Sequence, residues 1–552
     1  MGRRIAGWSL MALLVLLPSL AAADLPEALR DRLESIPPDQ PLMAGDHHVP
    51  GPAAVRRLYE ERLYQPIWVD AEGDVARADE LLDVLAAADC HGLDRDDYGN
   101  GELEALLAAL SEIDDALAMQ LQVDLELLLS GVWMQYGSHA LMGRLNPETT
   151  DPEWGIDRRG GDLPALLQAA DEEDRLAAAL HELLPADAGY QGLVQALAAY
   201  REIRQAGGFT TLPEGPTLRP GDEGERVALL RERLQQSGDL EAAGDGTLAD
   251  RFDEALAAGV RAFQRRHGLD EDAVVGAATR TALNVTATER VHQIAVNLER
   301  WRWMPRDLGE RHVLVNIAGY DMRVVDQGEQ VMHQRVIVGR DYRQTPVFTG
   351  RMTYLVLNPY WEVPNSIAVR DILPQLRQDS AYLDRLGFQV LRGWGAQQEL
   401  IDGHAIDWAT VPARGFPYRL RQSPGPQNAL GRIKFMFPNR HAVYLHDTPS
   451  RDLFRRADRA FSSGCIRVEQ PEALAELLLD DPRWDRRAID AAIARGDERT
   501  VVLARPVPVH LQYMTAWVDA EGLVHLRRDL YNRDARVVDA LQTPPDLLSG
   551  GS

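Results

Sequence analysis

Tyr444-Leu445-His446-Asp447-Thr448-Pro449 and, a short step on, Phe461-Ser462-Ser463-Gly464-Cys465-Ile466-Arg467 form the stretch on which this chain's reading turns. It sets a His, a Cys, a Gly and an Arg close together. A thiol attacks carbonyl carbon only as thiolate, so it needs a nearby base or a positive field. His446 can take the proton. Gly464 lets the backbone turn tightly, so successive N–H groups can face a developing oxyanion. Arg467 adds a fixed positive charge beside the sulfur. Two other chemistries fit poorly. A zinc site would want several ligands, but the chain has 2 Cys, no Cys-x-x-Cys pair and no His-Glu-x-x-His helix. A papain-like protease places its Cys far ahead of its His, and here His446 comes first.

The segment from Tyr444 to Asp447, taken with Ser463-Gly464-Cys465-Ile466-Arg467, resembles the active-site signature of the L,D-transpeptidases. These are the YkuD-type cysteine enzymes that cross-link peptidoglycan. Asp447 stands where many members have Gly, and Ser463 where many have a second His. Both features resemble the large, multidomain YcbB-like branch. The resemblance implies Cys465 as nucleophile and His446 as base, with Gly464 and Arg467 completing the site. Ser463 or a backbone carbonyl would orient the imidazole. Tyr444 and Trp361, the latter in Asn358-Pro359-Tyr360-Trp361-Glu362, would line the substrate cleft. The implied reaction is a two-step acyl transfer through a thioester, joining stem peptides by 3→3 cross-links without metal or organic cofactor. Peptidoglycan stem peptides are then the partners, with cell-wall synthesis proteins as further candidates. Water in place of the acceptor amine would give an L,D-carboxypeptidase, and a lipoprotein link in place of the stem an amidase. The motif does not separate these, because acylation is common to all. A non-catalytic wall-binding protein is the remaining reading; the intact Cys465, His446 and Arg467 speak against it.

At 552 residues the chain is too long for one core. With 84 Asp+Glu against 59 Lys+Arg the net charge is −25, which lacks the basic footprint nucleic acid demands. Residues 1–23 read as a signal peptide: Arg3 and Arg4, an apolar run over residues 10–20, then Ala21-Ala22-Ala23 before Asp24. The expected location is the periplasm. The run is short for a bilayer span, so membrane attachment follows only if the segment stays uncleaved. Cys90 reads as a packed, inert thiol at a helix end.

The pattern predicts a multidomain α+β chain. A helical scaffold covers 24–213, with apolar residues at helical spacing over 76–88 and 121–132. Asn146-Pro147 and Asp151-Pro152 interrupt it, and Trp68, Trp133 and Trp154 read as core. Residues 214–288 carry three short amphipathic segments, around 227–234, 262–269 and 276–283, and resemble the small peptidoglycan-binding domain. Gly92 and Gly268 read as helix C-caps. Residues 289–510 hold short strands, at 311–317, 320–325, 331–338 and 352–357, of a mainly β, sandwich-like catalytic domain of the YkuD type. A strand at 442–445 would deliver His446, and Cys465 would sit on the turn before a helix at 471–479. An insertion at 366–431, helical to 386 and then irregular, is too long for a plain connection; the resemblance implies that it caps the cleft. Residues 511–541 read as C-terminal strands packing on the catalytic domain, and 542–552 as a disordered tail.

Overall fold

A helix of 28 residues, Asp115–Met142, organises the N-terminal half. Its middle is buried on every side, and the shorter helices Leu25–Ser35, Pro52–Glu61, Leu163–Glu172 and Leu176–Leu183 pack around it. The computed structural model describes residues 24–110, 112, 115–241 and 250–544. The expected signal peptide and the last part of the expected tail lie outside them. Trp68 and Trp133 are buried in this scaffold, as read.

Three helices, Glu225–Gln236, Glu254–His267 and Ala277–Leu283, enclose a separate small core around Leu230, Leu256, Val260 and Phe263. Gly268 ends the second helix at φ 67°, a conformation cheap only for glycine. The helix Ala287–Trp303 follows, started by a capping box between Thr286 and Glu289. It bridges the two large units. Val291, Ile294 and Leu298 face the scaffold core, while Val296 and Trp303 face the β domain.

Strands are numbered along the chain. A two-residue hairpin, β1 (Met43–Ala44) and β2 (His47–His48), lies in the scaffold. The β domain is built from β4 (Arg311–Asn316), β5 (Asp321–Asp326), β6 (Glu329–Gly339), β7 (Val347–Leu357), β12 (Ile433–Met436), β13 (Leu445–His446), β15 (Ile466–Val468) and β16 (Arg499–Gln512). Their order is β12-β13-β15-β6-β5-β4-β16-β7, and β7 pairs again with β12. The pairing thus runs around a closed circuit, and the two layers expected of a sandwich share their edges. Val313, Val324, Val338, Leu355, Phe435 and Ile466 fill the interior, covered by the helix Pro471–Leu479. The scaffold donates β3 (Trp154–Gly155), which lies parallel to β7, and β14 (Ala460–Ser462) flanks β6.

The insertion departs from its reading. Its helical part is broken into Asn365–Ile367, Leu373–Gln378 and Tyr382–Leu386, with a π-type turn at Ala368–Ile372. Pro374 has no N–H to give the preceding turn, which fits the π-type turn before it. The part read as irregular forms three strands, β9 (Phe388–Arg392), β10 (Glu399–Ile401) and β11 (Arg419–Gln422), which join β8 (Trp361–Glu362), just ahead of the insertion, in an antiparallel sheet ordered β10-β9-β11-β8. It has its own core of Leu373, Leu376, Leu383, Val390, Trp408 and Leu420.

The C-terminal strands β17 (Ala516–Val518) and β18 (Val524–Leu526) also pack elsewhere than expected. Ala516 and Leu526 are buried in the helical scaffold, and Gln293 Nε2 donates to the carbonyls of Thr515 (2.9 Å) and Arg527 (2.7 Å). The flanking Tyr513, Met514, Tyr531 and Val537 reach the β domain. The hairpin is therefore a clasp between the units. No helix among the described residues is long and apolar enough to cross a membrane.

Candidate active site

Register builds this site. Lys434 on β12 lies opposite His446 on β13, and His446 lies opposite Arg467 on β15. Leu445 and Ile466 pair one step before, with Phe435 beside Leu445. Side chains alternate across a sheet. Ile433, Phe435, Leu445, Ile466 and Val468 therefore enter the core together. Lys434, Tyr444, His446, Cys465 and Arg467 are left on the opposite face. β13 begins at Leu445, not at residue 442, yet His446 still ends the strand as read. Cys465 sits on a bend between β14 and β15, one strand earlier than the turn expected before the helix at 471–479.

The nucleophile bend is held from three sides. Gly464 has φ 113°, where a side chain would be strained, and a Cβ there would meet the Gln344 carbonyl at 3.4 Å. Ser462 Oγ accepts from Gly464 N–H (3.1 Å) and donates to the Cys465 carbonyl. The Gly464 N–H is thus already engaged, and of the two amides suggested for an oxyanion the Cys465 N–H is the better candidate. Thr345, fully buried, donates to the Gly464 carbonyl (2.9 Å) and accepts from Gly339 N–H (2.9 Å). The Tyr531 hydroxyl closes the clamp on the Gly339 carbonyl (2.6 Å).

Cys465 is half-buried and free. Burial holds its thiol above the ordinary value; the Tyr444 N–H, the Tyr444 hydroxyl, Lys434 and Arg467 each favour the thiolate and offset part of that rise. Tyr444 is itself held well above its ordinary value, by burial first and then by Cys465, and its hydroxyl also meets Trp361. Tyr444 thus reaches the sulfur, and Trp361 meets the Tyr444 hydroxyl rather than the sulfur. His446 is buried, its ring edge-on to that of Tyr444 at 5.7 Å. Its Nδ1 donates to the Asp447 carbonyl at 2.5 Å, which leaves Nε2 as the proton-accepting nitrogen. Burial, then Arg467, lowers its pKa to about 3, so the ring is neutral at physiological pH.

Ser463 does not touch the imidazole. It is exposed, and its hydroxyl accepts from Arg343 Nη1 (2.9 Å), which also binds Asp371 of the insertion at 2.6 Å. The carbonyl that orients His446 is fixed through Asp447. That carboxylate accepts from the N–H groups of Arg432 (2.8 Å) and Thr448 (2.7 Å) and from Arg451 (2.6 Å). A Cβ on Gly431 would strike it at 2.3 Å, so both positions are tied. Arg467 lies half-buried with Nε lacking a hydrogen-bond partner among the described residues. Cys90 is exposed, contrary to its packed reading, because the 3-10 turn Ala88–His91 ends at the surface.

Sequence reasoning missed Lys434, Ser462, Thr345 and Tyr531. Lys434 carried a signal in plain sight: it is the sole lysine of the sequence. Among the described residues no group of three or more His, Cys, Asp and Glu could hold a metal ion.

Three stretches of the chain match known protein families. Residues 310–503 match a family model (YkuD) described as an L,D-transpeptidase catalytic domain. Residues 223–283 match one described as "Putative peptidoglycan binding domain", and 53–197 one described as a scaffold domain. A Haemophilus influenzae protein named "Putative L,D-transpeptidase" is 36% identical over 245 residues, 44% of this chain and 48% of that protein. The chain thus matches about half the length of this curated relative. Two solved structures titled L,D-transpeptidase, from Xylanimonas cellulosilytica and Stackebrandtia nassauensis, cover 54% and 55% of this chain and 99% and 96% of theirs. Their identities are 16% and 12%, and their TM-scores 0.17 and 0.22.

Proposed function

We propose that this chain, whose residues 310–503 are a YkuD-type L,D-transpeptidase catalytic domain, forms 3→3 cross-links between peptidoglycan stem peptides through a thioester on Cys465. The observation that carries the proposal is the shared sheet face: Cys465, His446, Tyr444 and Arg467 converge there, with a Tyr444 N–H and hydroxyl on the sulfur.

In the first half, His446 Nε2 takes the Cys465 proton as sulfur attacks the carbonyl of the L-centre in a donor tetrapeptide stem. The Cys465 N–H faces the oxyanion; one such donor is worth ~10²–10³ in rate. Collapse breaks the bond to the terminal D-residue, whose amine leaves with the proton from His446. A thioester remains. In the second half, an acceptor side-chain amine attacks this thioester and gives its proton to His446. The new amide forms, and the proton returns to sulfur. A neutral imidazole suits the base role, since a protonated ring could not accept. Arg467 supplies fixed charge beside sulfur and a site for a substrate carboxylate. Trp361 and the Tyr444 ring line the donor side.

The three-helix unit would hold the glycan strand, in an exported, periplasmic protein. The insertion would act as a lid. Its Asp371 is joined through Arg343 to Ser463, two residues from the nucleophile, so its position is coupled to the bend. A lid excludes water from the thioester and favours the amine acceptor over hydrolysis.

The test is to incubate tetrapeptide-rich sacculi with the protein and identify muropeptides by mass spectrometry. Dimers with 3→3 linkage are expected. Shortened stems alone would establish the carboxypeptidase instead.

A further inference from the structure

One cation at the site has no part in the steps above. Among 59 Lys and Arg residues, Lys434 is the sole lysine; apart from two pairs made by histidine, the ion pairs among the described residues are made with arginine. This exception lies on β12 opposite His446, with Nζ 4.0 Å from the centre of the Tyr444 ring. Its flanking residues Ile433 and Phe435 are wholly buried in the core, so the side chain cannot turn to the other face without breaking the strand. Among the described residues it has no carboxylate at ion-pair distance; Cys465 and, further off, Glu498 are the anionic groups that favour its charge.

The choice of lysine has a physical reason. A guanidinium is a planar fork of five donors that seeks a carboxylate or phosphate. An ammonium is a compact charge that rests on the negative face of an aromatic ring, here in a half-buried site, where such a contact is worth more than in water. Seated there, it lies on the ring whose hydroxyl meets the Cys465 sulfur and Trp361.

We propose that Lys434 is a positioning residue for the acyl transfer, its ammonium held on the Tyr444 ring beside His446 so that the thiolate is favoured when the Cys465 proton leaves and the Tyr444 hydroxyl stays turned toward the sulfur. The inference rests on Cys465 being the nucleophile. The charged and titratable groups facing the sulfur are Tyr444, Lys434 and Arg467, with His446 alongside, Arg340 beyond Arg467 and Glu498 beyond Lys434.

The test uses the full chain with Cys90→Ser, which leaves one thiol. Alkylation of Cys465 by iodoacetamide is followed by intact mass against pH. Lys434→Met should shift the midpoint up by about one unit, a roughly tenfold slower reaction at neutral pH, and Lys434→Arg should restore only part of it. A second readout exploits the sole lysine. Reductive methylation with ¹³C-formaldehyde labels Lys434 and the chain's N-terminal amine, and keeps their charge. The Lys434 NMR signal should show an inflection at the Cys465 midpoint that disappears in Cys465→Ser. An unmoved alkylation profile in Lys434→Met, or a Lys434 signal indifferent to Cys465→Ser, overturns this inference while the nucleophile reading stands. Cross-linking that survives Cys465→Ala overturns the nucleophile reading and this inference with it.

Discussion

Two polar clusters in this molecule are built in opposite ways. In the scaffold, Glu126 is wholly buried on the long helix, yet every acceptor site is used. It takes the Tyr59 hydroxyl (2.7 Å) and the backbone N–H groups of Ile67, Trp68 (3.0 Å) and Val69 (3.0 Å). Ser130 completes the knot, meeting Tyr59 (2.7 Å) and the Trp68 indole (2.9 Å). On the catalytic sheet, Lys434, Cys465 and Arg467 face one another with few fixed partners, and Arg467 Nε has none among the described residues. A saturated knot spends its polar groups on holding a loop to a helix. An unsaturated face keeps donors and charges for something not yet bound. That contrast, more than burial or polarity, marks which cluster is structural and which is a candidate for chemistry.

Mutations should divide along the same line. His446→Gln removes the base from the open face. It should lower transpeptidation by ~10²–10⁴ while leaving the melting temperature nearly unchanged; a rate within a few-fold of the parent would remove His446 from the mechanism. Glu126→Ala does the reverse. Three N–H groups and a hydroxyl lose their acceptor at ~1–3 kcal/mol each, so denaturant unfolding should show a loss of several kcal/mol. The folded fraction should alkylate Cys465 at the parent rate, and a changed thiol profile would contradict the division.

Acid should act on both regions alike. His139 in the scaffold and His446 at the site are both held by burial to pKa about 3, against 6.5 ordinarily. The unfolded chain binds protons at these rings as pH falls through 6.5, and the folded chain does not until near 3. Their contribution is complete above pH 6.5 and is lost as pH falls toward 3. His139→Gln should flatten that part of the stability curve; an unchanged slope would mean that the ring is charged in the fold. The smallest effect is expected from Ser463→Ala, which removes one exposed hydrogen bond from Arg343. Its thiol-alkylation pH profile should match the parent, since the Asp447 carbonyl orients His446. A shift in that profile would return Ser463 to the role first read for it.

Much of the site was legible because its residues announce their chemistry in type and spacing. Cys465 after Gly464, with His446 upstream, needs no third dimension. The alternation that buries Ile433 and Phe435 would also have placed Lys434, but only once β12 was known to lie beside β13. Thr345 and Tyr531 are the harder cases. They reach Gly464 and Gly339 across long sequence distances and carry no local signature. The insertion misled for another reason: its strands are three to five residues long, too short for a clear alternation. Within 511–541 the hairpin was read correctly as strands but the helix Asp534–Leu541 was missed, and the hairpin's destination depends on which core offers space to Ala516 and Leu526.

The central claim is that Cys465 carries the acyl group. It is tested most directly by intact-mass spectrometry of the Cys90→Ser protein mixed with a tetrapeptide donor and no acceptor amine. The account predicts an adduct equal to the donor less its terminal D-residue, mapped to Cys465, labile to hydroxylamine and absent from the Cys90→Ser/Cys465→Ala protein. Cross-linking at the parent rate in that double variant, or an adduct mapped to another residue, would contradict it.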